Sequence, residues 1–97
     1  MKFIWDRRKN QLNIEKHGLD FADAWEVFES PMLVGIDERE DYGEDRWTGI
    51  GSMDNRVVVI VFTELNEDTI RVISFRKATT YEREKYEQTY KNQFGSL

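Results

Sequence analysis

The sequence predicts an α+β fold: an N-terminal pair of helices, a three- to four-stranded antiparallel sheet and a C-terminal helix. Three stretches carry that prediction. Arg56 to Lys77 holds two β-rich runs separated by a short polar loop, the strongest hairpin signal in the chain. Asp20 to Ser30 sets Phe21, Ala24, Trp25 and Phe28 at the i, i+3, i+4, i+7 spacing of one buried helical stripe. Thr79-Thr80-Tyr81-Glu82 opens a further helix with a capping box, in which hydroxyl and carboxylate satisfy each other's end amides. At 97 residues the expectation is one domain over 1–97, with the last few residues frayed.

Taken in order, Phe3-Ile4-Trp5 is an apolar start, a first strand or an extended arm laid on the sheet. Asp6 caps a helix from Arg7 to His17, and Gly18 supplies the positive φ that stops it. Leu12 and Ile14 are its main apolar residues, so this helix is expected on the surface, held by few anchors. In the second helix Asp23, Glu26 and Glu29 form the wet side, and Ser30-Pro31 ends it. Met32 to Ile36 is a short strand, Asp37 to Asp45 a polar loop without periodicity, and Arg46 to Gly51 a strand interrupted by glycine. Ser52 to Asn55 turns the chain into Val57–Phe62, whose unbroken apolar run predicts cover on both faces. In the strand after it, strict alternation puts Ile70, Val72, Ser74 and Arg76 on one face and Arg71, Ile73, Phe75 and Lys77 on the other. The connecting loops are too short for parallel crossovers, so these strands are antiparallel. The C-terminal helix runs to about Asn92, with Tyr86, Tyr90 and Phe94 sharing a face.

Composition narrows the chemistry. There is no cysteine and one histidine, which excludes disulfides and thiolate catalysis and argues against a structural zinc site. No metal or cofactor is expected: Gly49-x-Gly51 lacks the third glycine of a phosphate loop, and the carboxylates of 37–45 miss the spacing of a calcium loop. No apolar run is long enough for a membrane span, and Met1 to Asp6 lacks the apolar core of a signal peptide, so the cytoplasm is the expected location. The net charge of -5 is unevenly spread. Residues 1–18 carry five basic and two acidic groups, residues 19–49 two basic and ten acidic, and residues 71–97 six basic and three acidic. Two basic ends that met in space would make a local positive patch on an acidic protein.

Few side chains are suited to catalysis. His17 is the only group whose ordinary pKa allows proton shuttling near neutrality, although a histidine at a helix C-terminus also serves as a capping cation. Arg76 and Lys77 end a strand just before a helix N-terminus, a placement that suits an anion grip and equally a salt bridge to the acidic loop. Trp25 reads as core rather than as a stacking platform, and a tyrosine of the last helix has a chemical role only if it faces the basic patch.

The residues Phe3-x-Trp5-Asp6-x-x-Lys9, Asn13, Lys16-His17-Gly18, Phe21 and Ala24 resemble the opening of the BrnT family, toxins of type II toxin–antitoxin systems. The likeness continues through Asp37-Glu38-Arg39, Glu44-x-Arg46-Trp47, Gly49-x-Gly51 and Val59-x-Val61-Phe62-Thr63-Glu64. It closes with Arg71-x-Ile73-Ser74-x-Arg76-Lys77-Ala78 and Glu82-Arg83-x-x-Tyr86-Glu87. This resemblance implies a RelE-like fold and a metal-independent endoribonuclease that inhibits translation. It also implies a BrnA-type antitoxin in a 2:2 complex, with operator DNA contacted only through that antitoxin.

Metal-free RNA cleavage requires a base for the 2′-hydroxyl proton, cations on the phosphate and an acid for the leaving 5′-oxygen. On the resemblance, Arg76, Lys77 and Arg46 become phosphate clamps with Lys16 beside them, and His17 the general acid or base. Glu64 or Tyr86 is cast in the remaining proton role, while Asp6, Asn13 and Glu82 are read as cap and scaffold. The alternative is a catalytically inactive relative that acts by binding an antitoxin and regulating the operon.

Overall fold

The computed structural model describes residues 1–94; the expected frayed end (95–97) and the side chain of Phe94 lie outside the described residues. Strands β1 (Lys2–Ile4), β2 (Leu33–Ile36), β3 (Trp47–Met53), β4 (Arg56–Asn66) and β5 (Thr69–Lys77) form one sheet in the order β1-β5-β4-β3-β2. The four later strands are antiparallel, as their short loops dictate, and β1 adds a fifth strand running parallel to β5. The β3–β4 turn is Asp54-Asn55, both at positive φ (51° and 61°), the twist a two-residue hairpin needs.

Helix α1 (Arg7–His17) follows the expected bounds. The Asp6 carboxylate accepts from the Lys9 amide at 2.9 Å, and Gly18 closes the helix in the left-handed region at φ 72°. Its anchor is polar rather than apolar. Leu12 and Ile14 are exposed, whereas Asn13 is buried against β5. The Asn13 amide donates to Phe75 O (2.8 Å) and Leu19 O (2.9 Å), and its Oδ1 accepts from the Phe75 amide at 3.2 Å. β1 reaches only as far as Arg71 along the outer edge of β5, so beyond it this side chain takes the place of a neighbouring strand.

The second helix differs from expectation. Residues 21–28 form a 3-10 turn, Phe21–Asp23, followed by a one-turn helix α2, Trp25–Phe28. Side chains three apart eclipse in 3-10 geometry, so the buried set is Phe21, Ala24 and Val27. Trp25, expected in the core, is 49% exposed instead. These residues cover Val58, Ile60 and Phe62 of β4, and Gly51 of β3 lets α2 approach closely. A Cβ there would stand 2.7 Å from Val27 Cγ1 and 2.8 Å from Ser30 Oγ.

β5 also departs from strict alternation. Val61 pairs with Ser74 and Phe62 with Val72, leaving Ile73 as an extra residue in a bulge. The bulge resets the faces: Ile70, Val72 and Phe75 point into the core, while Ser74 and Arg76 share the opposite face. On that face α3 (Thr80–Phe94) crosses β3 and β4. Tyr86, 5% exposed, ties α3 down by donating to Pro31 O at 2.8 Å, while Tyr81 faces solvent. No helix among the described residues is long and apolar enough to cross a membrane.

Candidate functional site

The sheet face away from α1 and α2 carries a groove of about 360 Å³. Its floor is built by register. Thr48, Val61 and Ser74 lie abreast across β3, β4 and β5, and Val59 sits opposite Arg76 in the next row along β4. One wall is Arg76 with Glu82 of α3; the other is the chain from Ile36 to Arg39 after β2.

Arg76 is held rather than mobile. Its two terminal nitrogens donate to the two Glu82 oxygens at 2.8 and 2.9 Å, and Nη1 also reaches Lys77 O at 3.2 Å. Glu82 at the same time accepts from the Thr79 amide at 2.8 Å, and its own amide donates to Thr79 Oγ1 at 3.1 Å. The capping box is thus present and fused to the arginine. Hydrogen bonds from Arg76 hold the Glu82 pKa down to about 2, overcoming the burial that opposes it. The strand-end salt bridge therefore exists, but its carboxylate comes from α3 instead of the acidic loop.

Asp37 and Glu44 of that loop have arginine partners of their own. Asp37, 8% exposed, takes the Arg39 Nε at 2.9 Å and Nη2 at 2.8 Å, with Tyr42 Oη at 3.4 Å. Bonds from Arg39 bring the Asp37 pKa to about 2 against its burial, and the same pairing raises that of Arg39. Arg46 donates to Glu44 at 3.3 Å and stacks 3.9 Å over the Tyr42 ring, while Arg71 also binds Glu44. Arg46 is therefore occupied by the loop and does not line the Arg76 groove.

His17 and Lys16, at the end of α1, do not line the groove, which opens on the face of the sheet away from α1. The His17 pKa is lowered by burial first, then by the Lys16 and Arg76 cations. Lys77 follows Arg76 on the strand and so lies on the other face, opposite Val58, exposed. Glu64 lines a separate hollow with Thr63 and Leu65, five residues along β4 from Val59 and so roughly 16 Å from the Arg76 row. The Tyr86 hydroxyl is committed to Pro31 O, and burial raises its pKa.

Among the groove residues absent from the sequence-based candidates are three with hydrogen-bond donors, Thr48, Ser74 and Arg39. Thr48 and Ser74 read as ordinary strand positions, and their alignment across three strands depends on register and on the bulge. Arg39 lay in a loop without periodicity; its signals were the acid two residues before it and the Asp37-Glu38-Arg39 motif of the family resemblance, to which no chemical role was attached. Among the described residues, no group of three or more His, Cys, Asp or Glu gathers as a metal site.

Residues 5–82 match the family model described as "Ribonuclease toxin, BrnT, of type II toxin-antitoxin system". Among solved structures, the chain is similar to the crystal structure of the Brucella abortus ribonuclease toxin, BrnT. Identity is 36%, the match covers 82% of this chain and 99% of that one, and the TM-score is 0.65. No curated protein sequence matches.

Proposed function

The chain belongs to the BrnT family of ribonuclease toxins, with its RelE-like α+β fold, and on that premise we propose that it cuts RNA by internal transesterification at the Arg76 groove. A base removes the 2′-hydroxyl proton, the O2′–P bond forms as the P–O5′ bond breaks, and an acid returns a proton to O5′. The products are a 2′,3′-cyclic phosphate and a 5′-hydroxyl, and a DNA strand, lacking the 2′-hydroxyl, is not cut. No step in this scheme calls for a metal ion. The observation that carries the reading is Arg76 itself, a guanidinium gripped by Glu82 at the mouth of a groove and thus aimed before substrate arrives. Preorganised cations stabilise charge on phosphate oxygens with little reorganisation.

His17 is the proton carrier in this scheme. Burial and the nearby Lys16 and Arg76 cations shift its pKa downward, toward the neutral imidazole that a general base requires. Lys16, beside His17 at the end of α1, is proposed as a further phosphate contact outside the groove lining. Lys77 and Arg46 serve as outer phosphate contacts, since neither shares the groove. Glu64 and Tyr86 are the weaker proton candidates, one because of its distance and the other because its hydroxyl is engaged. A toxin of this kind works in the cytoplasm against cellular RNA. It is held in check by an antitoxin, here of the BrnA type in a 2:2 complex, through which alone it reaches operator DNA.

The test is growth arrest on induced expression, with total RNA followed on gels, for the wild type, Arg76→Ala and His17→Ala. Arrest with RNA loss in the wild type, and neither in Arg76→Ala, is the expected result. Intact RNA and normal growth with a folded wild type would leave the antitoxin-binding role as the better account.

A further inference from the structure

We propose that Arg39 is the second cation of the groove, and that Arg39 and Arg76 together take one phosphodiester of single-stranded RNA, with Thr48 and Ser74 as hydroxyl donors beneath it. This rests on the ribonuclease reading above. Arg39 and Arg76 stand on opposite walls of the same groove. Each guanidinium is backed by its own carboxylate: Asp37 engages Nε and Nη2 of Arg39, and Glu82 engages Nη1 and Nη2 of Arg76. A guanidinium has five N–H donors, so both arginines keep hydrogens free for a further acceptor.

The Asp37–Arg39 pair is lopsided in a way that stability does not ask for. The Asp37 side chain is 2% exposed and that of Arg39 is 73% exposed. Burying a carboxylate to hold a solvent-facing cation carries a desolvation cost and yields little as a surface salt bridge. What it does produce is a cation of fixed position beside the groove. The two arginines also repel, Arg39 working against the charge on Arg76. An anion between them relieves that repulsion, and the planar forks suit phosphate oxygens. Thr48 and Ser74 flank Val61 in one row, and both line the groove floor.

The probe is a fluorescein-labelled single-stranded RNA with every 2′-hydroxyl methylated, so that it binds without being cut. Its affinity is measured against salt for the wild type, Arg39→Gln, Arg39→Lys and Arg76→Gln, with cleavage of unmodified RNA run in parallel. Losing one phosphate contact lowers the slope of log K against log salt by about 0.7, which is about fivefold in affinity between 1 M and 0.1 M. That loss is expected for Arg39→Gln and Arg76→Gln, with Arg39→Lys keeping the slope and losing cleavage rate. Arg39 is exposed in a loop, and cooperative thermal unfolding of its variants, at a Tm lowered by the loss of the Asp37 partner, confirms that the fold persists.

An unchanged slope in Arg39→Gln, with a wild type that cleaves, overturns the second-cation assignment and leaves the ribonuclease standing. A wild type that neither cuts nor binds RNA overturns both. If Arg39→Gln keeps RNA affinity but no longer holds the antitoxin, the groove serves an acidic protein segment and the proposal fails.

Discussion

Replacing Asn13 with alanine removes the one polar anchor between α1 and the sheet. Its carboxamide makes three hydrogen bonds, to Phe75 N, Phe75 O and Leu19 O. In Asn13→Ala all three main-chain groups lose their partner where Asn13 is only 8% exposed. An unsatisfied buried group costs about 1–3 kcal/mol, and partial hydration as α1 lifts away tempers the sum, so a loss of about 3 kcal/mol is expected. In a domain of this size that corresponds to a fall in Tm of about 15 °C. Asn13→Asp tests the same reasoning by sign. It keeps an acceptor for the Phe75 amide but turns oxygen lone pairs toward two carbonyls, so it destabilises at least as much. Urea unfolding followed by tryptophan fluorescence reads both variants. A loss below about 1 kcal/mol in Asn13→Ala, or an Asn13→Asp more stable than Asn13→Ala, refutes the view that this side chain replaces a strand at the β5 edge.

Gly51→Ala should lower stability by about 1–3 kcal/mol in chemical denaturation, since its Cβ meets Val27 and Ser30 on a packed turn. Gly49→Ala should cost less, because the first atom in its way is the mobile tip of Met32. Tyr86→Phe should lose about 1 kcal/mol with the bond to Pro31 and leave RNA cleavage unchanged; a collapse of activity in a folded variant would return the hydroxyl to the proton chemistry. Asp37 and Glu82 are both held at a pKa of about 2, below their ordinary values of 3.8 and 4.5. Their contribution is therefore complete above pH 5 and lost as pH falls from about 4 toward 2. Acid titration of wild type and Arg39→Gln should show the wild type losing more stability across that window, and equal losses would refute the pairing.

Much of this fold can be read from local pattern. The β4–β5 hairpin, the bounds of α1 and the capping box each depend on residues close in sequence, so propensity and position decide them. What escaped depends on geometry that only assembly sets. The 3-10 turn moved the buried stripe from Trp25 to Val27, because a period of three falls behind a period of 3.6 by about one residue over two turns. The bulge at Ile73 puts Phe75 in the core where alternation would have put Ser74. The site follows the same division. Arg76 was legible as a cation at a strand end before a helix. Its partner Glu82, the binding of Glu44 by Arg71 and the place of Arg39 beside the groove all arise from contacts between separate elements.

The carboxylate of Glu82 has a genetic consequence. It closes the first turn of α3 and grips Arg76 with the same two oxygens. If Arg76 has the role proposed above, a substitution there is one way to disarm the toxin. Any such change also removes a partner from the helix start, so disarmed alleles tend to be less stable alleles, exposed to proteases and present at lower abundance. A harmless but well-folded copy, able to engage the antitoxin at full dose, is correspondingly hard to reach by one mutation at this position.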